Sequence, residues 1–399
     1  MLLLPLLRLV LVLLLQVVQL TGLRTVAAYY EVKVTEHASV PVLSSRHGGK
    51  GCLTFNPSVV VPSETFGSAG LLVRQCCGAS CTGHGQQSVA GGTVHAERIS
   101  FAKCDLETAE CGEVDEKFNL DPSADTEDPR MLYSKYDKHY YLFYYRSPAA
   151  PGSGCSGPQC TVQLSRTRTP LNASSYEKIS VLPWHRNGCC IIRPRGQLTF
   201  CIWGEGGDGG PFPGLGISVT TDIAKGHFSQ VPWLENGNSP LSPDRLWLLP
   251  LGPGHNEIKL EAGTHMHELS TGDLISFYAA ATPGWVAHGN YTAGFIILDG
   301  ENPARVKQRS REPFLVPTFD YETLCPGKPS CAYHGERHNV IFLCSAVPIE
   351  GAQPDTFRLF FGAGDGNVGT AVVTVGHFGS DPTIGAFSHR LYGFRNIVI

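Results

Sequence analysis

The four residues Glu127-Asp128-Pro129-Arg130 concentrate the most reactive chemistry in the chain: two carboxyl groups, a guanidinium and a ring that restricts the backbone. They open the stretch Asp125–Arg146, which continues into the aromatic run His139–Tyr145. Pro129 fixes its own φ and disfavours the helical region for Asp128, so Asp128 is expected extended at a strand entrance. Arg130 is expected to orient or ionise a neighbouring carboxylate through paired hydrogen bonds. A carboxyl group held this way suits general acid or base work. The competing reading is a surface turn with a Glu127–Arg130 ion pair. Other constellations carry less. His255, His265 and His267 flank Glu257 and Glu261, but histidines two apart on a strand share one face, and a polar pocket wall accounts for them. Cys76, Cys77 and Cys81 lie near His84, yet no second cysteine pair with metal spacing follows. Neither metal nor cofactor is therefore expected. A serine triad is not supported, since no Gly-x-Ser-x-Gly elbow is present.

The elements that must position these residues are strands. Gly and Pro number 45 and 28, pointing to many turns, and no window has convincing helical periodicity. Five short apolar segments resemble one another: 70–74, 139–143, 197–201, 273–277 and 357–361. Counted from Leu71, Tyr140, Leu198, Leu274 and Leu359, they are 69, 58, 76 and 85 residues apart. That weak period fits the four-stranded blade of a propeller with long connections, so the fold class is all-β, a five-bladed β-propeller. A large β-sandwich is the alternative. No linker divides the chain, and 29–399 reads as one domain.

Residues 1–28 carry an apolar run from Leu2 to Leu20 followed by small residues, the pattern of a secretory signal peptide cleaved before Tyr29, with an uncleaved signal anchor as the alternative. A secreted or secretory-lumen protein is expected, with no membrane contact after cleavage. All 14 cysteines lie beyond the signal. The close pairs Cys104/Cys111, Cys155/Cys160 and Cys325/Cys331 suit local disulfides, and Cys189 and Cys190 should each find a distant partner. The sequons at Asn172 and Asn290 mark a glycoprotein. Charged residues are 17% and the net charge is −4, so no nucleic-acid partner is expected.

The order Phe55-Asn56-Pro57, Leu71-Leu72-Val73-Arg74, Glu127-Asp128-Pro129-Arg130 resembles the N-terminal half of glycoside hydrolase family 130, the β-mannoside phosphorylases and hydrolases. The strand and proline-bounded segment Gly294–Pro317, then Tyr321-Glu322, His338–Phe342 and Phe361–Asp365, resemble its C-terminal half. The resemblance implies a propeller with a central pocket. It also implies Asp128 as general acid, working through a sugar hydroxyl, and Asn56, Arg74 and Asp365 as sugar contacts. Arg130, Glu261 and Tyr291 complete the expected substrate-binding set, Glu261 through a Glu-x-Gly step.

Phosphorylases of the family hold phosphate with basic residues, for which Arg186 and Arg166 are the candidates here. The family's His-Arg-Pro step is missing, and Cys201–Gly206 stands in its place. Hydrolysis needs a base to activate water, and Glu205 ranks first among Glu205, Asp208, Glu257 and Glu261. The expectation is an inverting glycosidase acting on β-mannosides or related glycans, hydrolysis favoured over phosphorolysis, with inorganic phosphate a partner only in the latter case. A non-catalytic carbohydrate-binding propeller that keeps the sugar subsite is the alternative from a different class.

Overall fold

The computed structural model describes residues 29–378 apart from 45–46, 48–51, 65, 78–96, 148–160, 185, 195, 205–213, 232–246, 249, 256, 284–289 and 325–337. The signal segment, Glu205 and the cysteines at 155, 160, 325 and 331 lie outside the described residues. The chain divides into a main body, Val32–Thr374, and a small unit of Met1–Glu31 with Val375–Ile399. In the small unit the described strand ends bring Tyr30 and His377 to a ring distance of 5.1 Å.

The main body is a five-bladed β-propeller of small antiparallel sheets. Blade I is β2 (Cys52–Val60), β3 (Gly70–Cys77), β4 (Glu97–Cys104) and β5 (Cys111–Asp115). Blade II is β6 (Asp125–Ser134), β7 (His139–Ser147), β8 (Thr161–Thr167) and β9 (Glu177–Leu182). Blade III is β10 (Arg186–Ile191), β11 (Thr199–Gly204), β12 (Leu215–Thr220) and β13 (Ser229–Gln230). Blade IV is β14 (Lys259–Ala262), β16 (Leu274–Ala281), β17 (Tyr291–Leu298) and β18 (Val306–Arg309), with the short β15 (His267–Glu268) also pairing with β16. Blade V is β19 (Ile341–Pro348), β20 (Thr356–Ala363) and β21 (Asn367–Phe378).

Blade V takes its outermost strand from the other end of the chain. β1 (Tyr29–His37) pairs with β21, so the N-terminal strand closes the ring. The short helix α1 (Asp320–Thr323) pins this closure. Its fully buried Glu322 meets His37 Nε2 at 2.6 Å and accepts the Thr318 and Phe319 amides, while the Tyr321 hydroxyl donates to Ala38 O at 2.9 Å.

The five look-alike segments of the sequence correspond to the second strand of each blade. β3, β7, β16 and β20 contain Leu71, Tyr140, Leu274 and Leu359, all buried, whereas Leu198 falls just before β11 and is exposed. These strands read as unbroken apolar runs because blades press on both of their faces; β16 is buried at every position. Hydrophobic cores fill the gaps between successive blades. One of them, built from Leu43, Val59, Val73, Phe360 and Val368, joins blade V to blade I.

Among the described residues, three disulfides tie residues that face each other on adjacent strands: Cys52–Cys77, Cys104–Cys111 and Cys190–Cys201. The Cys104–Cys111 pairing is the one expected from spacing. Cys190 bonds across its hairpin, but Cys189, expected to have a distant partner, is a buried free thiol. Consecutive strand residues point to opposite faces, so only one of the two can reach β11.

Candidate active site

Three of the blades open with the same local device. Asn56, Asp128 and Asn187 sit inside β2, β6 and β10 with φ of 46°, 49° and 51°. At each the pairing with the next strand slips, between Phe55 and Ser58, Glu127 and Arg130, and Arg186 and Cys189. These are β-bulges, and Asn and Asp are the non-glycine residues that best tolerate left-handed backbone. Asp128 is therefore not extended, as the following proline led us to expect. The bulge has a chemical consequence: successive side chains in a regular strand diverge, yet Glu127 and Asp128 both reach the same two arginines.

Those contacts are specific. Asp128 Oδ1 accepts hydrogen bonds from Asn56 Nδ2 at 2.7 Å and Arg74 Nη1 at 3.3 Å, and Oδ2 accepts from Arg186 Nη1 at 3.2 Å. Glu127 Oε2 lies 3.1 Å from Arg74 Nη1 and 3.3 Å from Arg186 Nη1. Arg74 also forks onto Glu97 with both contacts at 2.7 Å, and lies over the Phe55 ring. Arg186 lies over Tyr145. Residues from blades I, II and III thus meet around two buried carboxyl groups.

The environment separates the two acids. Burial raises the Asp128 carboxyl, but Arg74, Arg186 and Arg130, with the Asn56 hydrogen bond, outweigh it and hold it at about 2. Burial also raises Glu127, the charges of Glu97 and Asp128 add to that, and the arginines compensate only in part, leaving it at about 8. The two are thus pushed in opposite directions, and Glu127 is the one of the pair that holds a proton more tightly.

A second cluster adjoins the first. Glu261 on β14 pairs with Lys259 Nζ at 2.6 Å, lies 3.4 Å from the Tyr291 hydroxyl and accepts from Asn187 Nδ2 at 3.5 Å. Gly204 packs beside Arg186 and Glu261, and Glu205, which follows it, lies outside the described residues. Around the carboxyl pair Asn56 Oδ1, Asn187 Oδ1 and the Nε atoms of Arg74 and Arg186 are buried and have no hydrogen-bond partner among the described residues. Such atoms suit a polyhydroxylated ligand, because each unpaired buried polar atom costs free energy that a ligand hydroxyl recovers.

Two expected contacts lie elsewhere. Arg130 is fully buried and donates to Gly263 O at 2.8 Å, Pro129 O at 2.9 Å and Leu343 O at 3.4 Å. It bridges the blades from within instead of facing a substrate, and acts on Asp128 only through its charge. Arg166 pairs with Glu177 at 2.8 Å on β8 and β9, outward from the inner strands, and takes no part in the cluster. Asp365 sits in the β20–β21 turn with φ 45°, and the adjacent Gly366 O accepts from Thr54 N of β2 at 3.3 Å. Of the two sequons, Asn172 is exposed and caps a short turn, and Asn290 accepts from Asn339.

Sequence reasoning missed Glu127 as a proton-holding group, and missed Glu97, Asn187 and Lys259. A usable signal existed: Asn56-Pro57, Asp128-Pro129 and Asn187-Gly188 repeat one Asn/Asp-then-breaker step near the start of successive blades.

Comparison with known proteins agrees with this architecture. Residues 230–378 match the glycoside hydrolase 130 family model, described as beta-1,4-mannooligosaccharide phosphorylase. A beta-1,2-mannobiose phosphorylase from Thermoanaerobacter sp. (strain X514) is 32% identical over 83 residues, 21% of this chain and 23% of that protein, so the match spans less than a quarter of the relative's length. Among solved structures, a beta-1,2-mannobiose phosphorylase from Listeria innocua superposes with a TM-score of 0.59 at 15% identity, covering 90% of this chain and 99% of that one. A glycosyl hydrolase from Bacteroides ovatus gives 0.57 at 16%, covering 91% and 92%. A structure described with glycoside hydrolases that target beta-1,2 mannosidic linkages in Candida mannan gives 0.54 at 16%, covering 88% and 91%. At these identities the superpositions show the fold.

Proposed function

We propose that this chain, whose residues 230–378 match the glycoside hydrolase 130 family model, acts as a member of that family and cleaves β-mannosides or related glycans with inversion, Asp128 acting toward the glycosidic oxygen. The observation that carries this reading is the convergence of Asn56, Arg74 and Arg186 on the Asp128 carboxyl, with Glu127 beside it. A carboxyl pair that shares one proton has an acid to offer a leaving group, and its conjugate base is stabilised by the same two arginines that border the pair. Sugar hydroxyls entering the site take over part of the arginine and Asn56 hydrogen bonding. That raises the affinity of Asp128 for the proton the pair already holds.

Hydrolysis is favoured over phosphorolysis. Arg74 and Arg186 are already charge-matched to Glu97, Glu127 and Asp128, and Arg166 is remote, so the positive charge that would hold phosphate is already compensated. The base that activates water is Glu205 or Glu261; Glu261 lies beside Asn187 at the Arg186 side of the site, and Glu205 is outside the described residues. We place the protein in the secretory pathway, consistent with three cross-strand disulfides and the apolar N-terminal run.

The test is a product assay on β-1,4- and β-1,2-mannobiose, with and without phosphate, for the wild type and Asp128→Asn. Free mannose without phosphate, reduced at least 1000-fold or so in the variant, is expected. Mannose 1-phosphate formed only with phosphate overturns hydrolysis. Saturable binding without turnover leaves the carbohydrate-binding alternative.

A further inference from the structure

A cavity lies along the inner strands, apart from the carboxyl pair. It has a volume of about 320 Å³ and is walled by Val59, Met131, Ile191, Met266, Ala346 and Val347. These positions follow Asn56, Asp128, Asn187, Glu261 and Phe342 by three to five residues along their own strands, roughly 10 Å or more of extended chain. Between the two levels sits Arg130, whose guanidinium is bonded to the carbonyls of Gly263 and Leu343 and walls one site off from the other.

The cavity is apolar except at a few points. His267 Nε2 and the Tyr133 hydroxyl belong to residues that line it and are buried without a hydrogen-bond partner among the described residues, whereas the His265 ring is bonded to the Met131 backbone. His265 is 6% exposed, and its Nδ1 accepts the Cys190 amide at 2.9 Å, so in the neutral ring the proton is on Nε2. Burial pushes both imidazoles down, to about 3 for His265, helped by His267 and Arg130, and to about 4 for His267. Both are therefore neutral donors or acceptors at physiological pH. Of the lining residues only Lys135 carries a full charge, and no aspartate or glutamate is among them.

We propose that this cavity is a binding site for a small monocarboxylate with an apolar body, its tail against Val59, Met131, Ile191 and Val347 and its carboxylate toward His267 and Tyr133. Two orphaned polar atoms without an acid among them match one two-oxygen anion, and too few donors are present for a phosphate. The volume is at the lower end of small-molecule pockets. This site does not depend on the glycosidase reading.

The experiment is calorimetric titration of the full chain with octanoate and, as an uncharged control of the same length, octanamide. Octanoate is expected to bind at one site per chain, with octanamide about tenfold weaker or more, as befits loss of a charge-assisted hydrogen bond. His267→Phe is expected to weaken octanoate about tenfold. Ala346→Trp fills the cavity and is expected to abolish binding, with its thermal unfolding checked alongside. Neither ligand should compete with mannobiose. Absence of saturable octanoate binding overturns the proposal, as does equal affinity for the amide, unchanged binding in both variants, or competition with the sugar. Should Ala346→Trp fail to fold, His267→Phe and the amide decide alone.

Discussion

Replacing Glu127 by Gln tests the shared proton directly. Glu127 is 3% exposed, and its carboxyl is raised from 4.5 to about 8 by burial and by the charges of Glu97 and Asp128. A raised acid binds its proton more tightly in the folded chain than in the unfolded one. Its contribution is therefore full below about pH 4.5 and is lost as pH rises toward 8. At about 1.4 kcal/mol per pH unit, the ceiling on that loss is about 5 kcal/mol, part of which belongs to Asp128 because the two carboxyls titrate together. The amide mimics the protonated acid and does not titrate. Urea unfolding of wild type and variant at each pH from 5 to 9 gives the difference in stability, in which groups common to both chains cancel. The wild type should lose ground to the variant steadily between pH 5 and 8, by at least about 2 kcal/mol in all, and level off above. Turnover should fall about 100-fold in the variant, because Asp128 between two arginines then has no proton to share. A difference that is flat with pH, or that runs the other way, would mean that Glu127 is ionised at neutral pH, and the single-proton pair would be wrong.

Other outcomes follow from the same structure. Arg130→Met should destabilise the fold by about 2–4 kcal/mol in chemical denaturation, since it strands the carbonyls of Gly263 and Leu343 inside the ring. His265 and His267 are depressed by burial, so the unfolded chain takes up protons that the folded chain refuses. Stability should then fall by about 1 kcal/mol per histidine for each pH unit below 6, an effect that His267→Phe should halve in acid unfolding curves. Replacing Cys190 and Cys201 together by Ala should lower stability by about 2–4 kcal/mol under oxidising conditions and make no difference under reducing ones.

The chain of residues alone reveals the five blades, because the second strand of each is squeezed by neighbours on both faces and must be apolar throughout; Leu71, Tyr140, Leu274 and Leu359 mark them. It also singles out Asp128, on which Asn56, Arg74 and Arg186 converge, and Cys104–Cys111 as a local bond, since a seven-residue hairpin needs no tertiary information. Which cations meet Asp128 was decided only in three dimensions. Arg74 and Arg186 are 54 and 58 residues away from it, whereas the adjacent Arg130 turns into the core. Sequence proximity favoured Arg130, but the bulge at Asp128 slips the register and sends the next side chain behind the site. The same bulge turns Glu127 and Asp128 toward the same arginines, and their different neighbours, Asn56 and Arg130 for Asp128 and Glu97 for Glu127, separate their proton affinities. A four-residue motif specifies which groups are present; the closed ring of blades specifies which of them face one another.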